Sequence, residues 1–372
     1  MITPLTPDKA RSDAPWKAWR ASIGDTMESV LESILAETSR ETLARPLLDE
    51  LLGFIRRPGK RVRPLLLLHS YRTFSGKEPN ADTLQVAAAL ELLHVFILAH
   101  DDVIDRSDTR SGMPTLHRSI EGRLGVHHGR DRVARALAIV LGDILFAAAQ
   151  RAILKTSFSA DVRVQALDAM LSYMADTGLG ECDDVLFGVW DIGRIQSSDV
   201  EHMYWLKTSR YSIECPLVLG AILAGRDAST LDPLREISRP LGLAFQIRND
   251  LKAFREFEIS DAEIPDDFLE GKKTLLMTTA YEQLGETDRR LLQLSLGQRP
   301  VTDAALSTIK ELVVKSRAVS LLETRVTNLA DSASSLLDAA PWPENERTSL
   351  CYAIHYLNAV LECRPRTGEA AA

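Results

Sequence analysis

Residues 86–105, VAAALELLHVFILAHDDVID, are apolar around nearly the whole circumference of a helix and then close with three aspartates in five positions. A helix without a polar face must be enclosed by other elements, so this stretch predicts the centre of a helical core. ALAIVLGDILFAAAQRAIL (136–154) reads the same way, as does the segment from Tyr204 to Leu223, with a break expected near Pro216. Hairpin turns of the NG or DG kind and sustained alternation are missing, so the strand signals are nearly absent. The expectation is an all-α protein, a single large helical bundle domain over residues 21–364. Residues 1–20 read as a loosely held N-terminal tail and 365–372 as a C-terminal one. Loops are expected at 74–81, 107–114, 259–271 and 296–302.

Composition narrows the function. A formal net charge of −8 argues against a generic nucleic-acid binder. The four cysteines form no CxxC pair and suit neither a zinc knuckle nor a disulfide framework, which points to a reducing, cytoplasmic setting. No uninterrupted apolar run approaches the roughly 18 residues of a membrane span, and the N-terminus lacks a basic-then-apolar signal pattern.

On a helix, Asp101 and Asp105 share one face and Asp102 flanks them. Carboxylates that close repel one another unless a cation neutralises them. Hard oxygen ligands without histidine or cysteine suit Mg²⁺, which typically bridges a few carboxylates to substrate phosphates. The same cluster could also be a solvated helix end, but surface helix ends seldom follow so apolar a run. Basic residues that suit a phosphate substrate follow the same logic. RRPGKRVRP (56–64) places Lys60 and Arg63 where Pro64 would start a helix, whose N-terminus attracts anions. Arg110 lies just past the acidic cluster, and Lys207 with Thr208 interrupts the apolar MYWLKTSRYSIECP. A lysine in such surroundings needs a counter-charge. Taken alone, the basic stretch also reads as an ordinary charged loop.

These segments resemble, in order, the motifs of the trans-type polyprenyl synthetase family. GKRVRP (59–64) resembles GGKxxRP, and LELLHVFILAHDDVIDRSDTRSG resembles the first DDxxD segment with its following RRG. LGD (141–143), GECDDV (180–185), LKTS (206–209), GLAFQIRNDLKAF and EGKKTLL (270–276) resemble the family's GD, GQxLD, KT, GxxFQxxDDxxD and EGKxTL. The resemblance implies the all-α isoprenyl diphosphate synthase fold and up to three Mg²⁺ ions. It implies condensation of an allylic diphosphate with isopentenyl diphosphate, and a homodimer. Carried over, Asp101, Asp102 and Asp105 with Asn249 and Asp250 would hold metal. Arg110, Lys207 and Lys272 would grip the allylic diphosphate, and Lys60, Arg63 and His94 isopentenyl diphosphate. Thr208 and Gln246 would lie near the reacting carbons. Without the resemblance, His94 reads as a satisfied core histidine. Phe96 and Ile97, one turn before the acidic motif, would floor the tail pocket and stop the product at C15–C20; apart from the resemblance, Phe96 reads as core.

The chain departs from the pattern in one region above all. The second acidic motif has Asn249 and Ala253 in place of two acids, with Lys252 between them, so the third metal is expected to bind more weakly. Ser111 replaces the second arginine of RRG, Glu181 stands where glutamine is usual, and Ala262 aligns with a loop lysine. NDLKAFREFE partly resembles the NDxxSxxxE motif of class I terpene cyclases, but Phe257 stands where the glutamate belongs, flanked by Glu256 and Glu258. A slip to either glutamate would need a local helix irregularity. Three readings follow. One is chain elongation with isopentenyl diphosphate. The second is a synthase-derived cyclase that ionises a prenyl diphosphate without it. The third is a non-catalytic partner subunit, against which the intact first motif counts.

Overall fold

The computed structural model describes residues 9–38, 44–125, 128–258, 266–296 and 302–362. Among them only two short strands interrupt the helices. The contacts sort the chain into two compact units, 1–168 with 219–225, and 169–218 with 226–372.

The first unit contains α1 (Lys9–Thr38), α2 (Arg45–Ile55), α3 (Val62–Ser75), α4 (Ala81–Ile104), strands β1 (Thr109–Arg110) and β2 (Met113–Pro114), α5 (Leu116–Arg123), α6 (Arg130–Leu154) and the start of α7 (Ala160–Val189). α4 starts on Asn80, whose side chain accepts from the Thr83 N–H, an N-cap that satisfies an otherwise orphaned donor. Val86–Leu90, Leu92 and Leu93 are buried, and α4 packs against α6, α1 and α3 as a central helix must. By length and mean hydropathy alone, 1.5 and 1.8, α4 and α6 are as apolar as a membrane span, as core helices also are. Much of that apolar surface is spent inside the unit: 61% of the qualifying window in α4 is buried and 44% of that in α6. Within 1–20, read from sequence as a tail, helix runs from Lys9 and both Trp16 and Trp19 are buried. Trp16 stacks on His69 at 5.1 Å, which fixes the segment by aromatic burial that lacks a periodic signature. The C-terminal tail lies outside the described residues.

The two strands form a hairpin that the sequence did not announce. Ser111 (φ 54°) and Gly112 (φ 74°) at its tip both take left-handed backbone, the geometry of a type I′ turn, with serine in place of the usual asparagine or aspartate.

The second unit holds the rest of α7, a 3₁₀ turn (Ile192–Arg194), α8 (Ser197–Tyr204), a π-helix (Trp205–Glu214), the start of α9 (Cys215–Leu223), α10 (Ala228–Glu258), α11 (Asp266–Leu269), α12 (Leu275–Gln283), α13 (Glu286–Leu296), α14 (Asp303–Ser316), α15 (Ala318–Ala339) and α16 (Glu344–Glu362). α10 packs on α15 and on the π-helix around a core that includes Ile247, Phe254, Leu276 and Ile309. The break expected at Pro216 is displaced. The irregularity is the π-helix ahead of it, and proline sits in the first turn of α9, where its missing N–H is harmless.

Candidate active site

In the first unit, α4 delivers its aspartates at its last turn, and the hairpin brings Arg110 back onto them. The Arg110 guanidinium lies 2.7 Å from Asp101 and 2.6 Å from Asp102. Asp102 is fully buried and one of its oxygens has no hydrogen-bond partner. Burial, partly offset by Arg110, pushes its pKa up to about 6. Burial alone would weaken the Arg110 charge, but Asp102 and Asp101 hold it firmly protonated. Asp101 and Asp105 are half-buried on the more open face. This donor set fits Mg²⁺: Asp101 and Asp105 would hold the ion and the buried Asp102 would anchor Arg110. Among the described residues no group of three or more His, Cys, Asp or Glu is arranged to hold a metal ion. An ion held by one or two carboxylates plus phosphate oxygens needs none.

His94 lies two turns before Asp101 on α4. Burial and the charges of Arg63, Arg110 and Arg61 lower its pKa well below that of a free imidazole. Arg63 and Arg110, from two other segments, both contribute to that lowering. The basic stretch 56–64 divides its labour. Arg56 pairs with Glu28 at 2.7 Å, Arg57 bonds the Pro114 carbonyl at 2.6 Å, and Arg61 pairs with Glu91 at 2.9 Å. Lys60 and Arg63 are half-buried, and α3 begins at Val62 with Pro64 in its first turn, two residues earlier than expected. Phe96 is half-buried, with its ring 4.6 Å from that of His100 and 5.2 Å from that of Phe146.

In the second unit, the π-helix carries Lys207 and Thr208. Its wider winding is visible where the Cys215 N–H donates to the Arg210 carbonyl, five residues back. Lys207 lies 2.7 Å from both Asp184 and Glu181, and Lys272 reaches the same Asp184 at 3.0 Å. Burial would raise the Asp184 pKa, but Lys207 and Lys272 outweigh it and hold the carboxyl below the ordinary range. Two glycines set the spacing. A Cβ on Gly180 would lie 2.8 Å from the Lys207 Cα, and one on Gly242 would lie 2.7 Å from Ser209 Oγ. α7 and α10 approach the π-helix this closely only because those positions carry no side chain.

Asp250 is engaged by neighbouring side chains. It is buried, accepts from the Tyr204 hydroxyl on one oxygen and takes the Gln246 amide on the other at 3.0 Å. Burial raises its pKa well above that of a free aspartate. With Asn249 and Ala253 beside it, α10 offers little charge to a cation. Gln246 is thereby tied to Asp250. α10 stays helical through Glu258, and Phe257 stacks on Phe268 at 4.5 Å, so neither Glu256 nor Glu258 slips into the cyclase register. Ala262 lies outside the described residues. Sequence reasoning missed Tyr204, whose hydroxyl also accepts the Leu275 N–H at 3.0 Å, and the bridging role of Asp184. Only the final aspartate of GECDD hinted at the latter.

The pattern described as Polyprenyl synthetase matches residues 45–313. The chain is 31% identical over 304 residues to a geranylfarnesyl diphosphate synthase of Aeropyrum pernix, covering 80% of this chain and 89% of that protein. It is 32% identical over 272 residues to a short chain isoprenyl diphosphate synthase of Methanothermobacter thermautotrophicus, covering 73% and 76%. Among solved structures it is similar to a geranylgeranyl pyrophosphate synthase from Corynebacterium glutamicum complexed with isoprenyl diphosphate and magnesium. That match has a TM-score of 0.82 and 25% identity, over 91% of this chain and 98% of that one.

Proposed function

The chain belongs to the polyprenyl synthetase family, and on that premise we propose that it condenses an allylic diphosphate with isopentenyl diphosphate to a C15–C20 trans-prenyl diphosphate. The observation that carries this reading is the Arg110 guanidinium held 2.7 Å from Asp101 and 2.6 Å from Asp102 at the end of α4. That cluster suits a diphosphate next to a divalent cation. Lys60, Arg63 and His94 bind isopentenyl diphosphate, with the imidazole donating a hydrogen bond without adding charge. Lys207, Lys272 and Arg110 bind the allylic diphosphate. The allylic C–O bond breaks with departure of diphosphate, the alkene of isopentenyl diphosphate attacks the cation, and a proton is lost to restore a double bond. Mg²⁺, up to three ions, supplies Lewis-acid pull on the leaving group when bound. Thr208 and Gln246 lie near the reacting carbons. The regular winding of α10 at Phe257 disfavours the cyclase reading.

The active form is a cytoplasmic homodimer. Ser172, Ala175, Leu179, Cys182, Leu186 and Val189 are exposed along one stripe of α7 at alternating spacings of three and four, the pattern of a helix-pairing seam. Leu179→Glu would give a monomer by light scattering if the seam is the interface, and an unchanged mass would reject it.

The test of function is product analysis with purified protein and Mg²⁺. Dimethylallyl, geranyl, farnesyl and geranylgeranyl diphosphates are each supplied with and without isopentenyl diphosphate. Longer prenyl diphosphates formed only with isopentenyl diphosphate support elongation. A hydrocarbon or alcohol formed without it supports cyclisation, and no turnover with any substrate supports a partner subunit.

A further inference from the structure

Arg61 sits between Lys60 and Arg63 yet turns inward onto the protein itself. Its side chain is only 10% exposed and pairs at 2.9 Å with Glu91, itself 5% exposed. Its other terminal nitrogen donates to the Ile55 carbonyl at 2.9 Å and the Arg57 carbonyl at 3.1 Å. One guanidinium thus joins the end of α2, the basic stretch and the middle of α4. Arg61 is also the residue before α3 and holds left-handed backbone at φ 50°, which L side chains avoid unless their surroundings impose it. Glu91 lies three residues before His94, on the same face of α4.

We propose that the Arg61–Glu91 pair is a positioning device for the isopentenyl diphosphate subsite. It fixes the left-handed step that sets Lys60 and Arg63 at the start of α3, and it locks that step to the helix that carries His94. Lysine cannot replace this arginine, because a single ammonium cannot span a carboxylate and two carbonyls held in a fixed planar fork. The proposal rests on the reading of Lys60, Arg63 and His94 as that subsite.

The experiment compares Arg61→Lys, Arg61→Gly and Glu91→Gln with wild type and with Lys60→Ala. It measures KM for isopentenyl diphosphate, KM for geranyl diphosphate, kcat and melting temperature. Arg61→Gly relaxes the left-handed backbone while it removes the pair, so it separates strain from anchoring. The expected result is a rise of about tenfold to a hundredfold in KM for isopentenyl diphosphate in all three variants, with KM for geranyl diphosphate nearly constant. A lower melting temperature with KM for isopentenyl diphosphate unchanged, while Lys60→Ala raises it, overturns the positioning role alone. If wild type does not consume isopentenyl diphosphate, or Lys60→Ala leaves its KM unchanged, the subsite reading fails and the proposal falls with it. Should a variant not fold, Glu91→Gln, which keeps the shape of the side chain, decides the matter.

Discussion

Asp184 lies 2.7 Å from Lys207 and accepts Lys272 through the same carboxylate oxygen. Two lysines far apart in the sequence thereby share one anion, which keeps them together before any substrate arrives. Lys273, the next residue, does a different job: it is buried and donates to the Gly188 carbonyl at 2.9 Å. Lys207→Ala is expected to lower kcat/KM for the allylic diphosphate about a hundredfold, the size of effect seen when one aligned donor to a developing anion is lost. Lys273→Ala is expected to lower the melting temperature and leave that ratio within a few-fold. Steady-state kinetics paired with thermal melting separate the two lysines, and equal effects on kcat/KM would reject the division.

Gly242 controls how close α10 comes to the π-helix. Gly242→Ala forces a methyl group against Ser209. The expected destabilisation is about 1–3 kcal/mol, the usual cost of overpacking a tight contact. Thermal unfolding checks it, with Gly53→Ala as the control, because a Cβ at Gly53 meets nothing within 4 Å. Equal melting of the two variants would show that α10 can retreat without cost.

Phe96 is held by rings on both sides, from His100 and Phe146. Phe96→Ala is expected to lengthen the product by at least one isoprene unit, because the removed ring leaves space that its braced neighbours do not refill. Mass spectrometry of the products is the check. Unchanged chain length would mean that Phe96 serves only as core.

Glu214 is buried, accepts from the Tyr173 hydroxyl at 2.9 Å and lies 3.8 Å from Arg210. Burial raises its pKa despite Tyr173, Arg210 and Arg235, while Asp176 adds to the rise. A carboxyl whose folded pKa stands above its unfolded value contributes full stability below that unfolded value, about 4.3, and loses it as pH rises through the folded pKa. Glu214→Gln has no charge to bury. Its melting temperature relative to wild type is therefore expected to climb as pH rises above the ordinary glutamate pKa. A flat difference would indicate that Arg210 fully compensates the buried charge.

Apolar patterning and motif order carry the helical class a long way. α4 and α6 are recognisable because an all-apolar circumference has one physical solution. Asp101 and Asp105 are named by spacing and His94 only by the family resemblance, and the fold brings Arg110 onto the end of α4. Other features depend on three-dimensional contact and leave little trace in the sequence. Nothing in RRPGKRVRP separates the structural Arg56, Arg57 and Arg61 from Lys60 and Arg63, because all are cations at similar spacing. The hairpin tip at Ser111 lacks the usual turn pair. Asp250 looks like a ligand in sequence and becomes a buried acceptor because Tyr204, from another helix, reaches it first.

The π-helix at Trp205–Glu214 makes chain length itself a functional quantity. A segment wound with hydrogen bonds five residues back holds more residues than an α-helix of the same rise. Losing one of them would let the ordinary winding close, leaving the flanking helices nearly in phase while the residues inside the segment shift around the axis. Lys207 would then trade places with a neighbour of different chemistry, even with every remaining side chain intact. Within this segment an insertion or deletion is a change of direction, and a point substitution is the milder event.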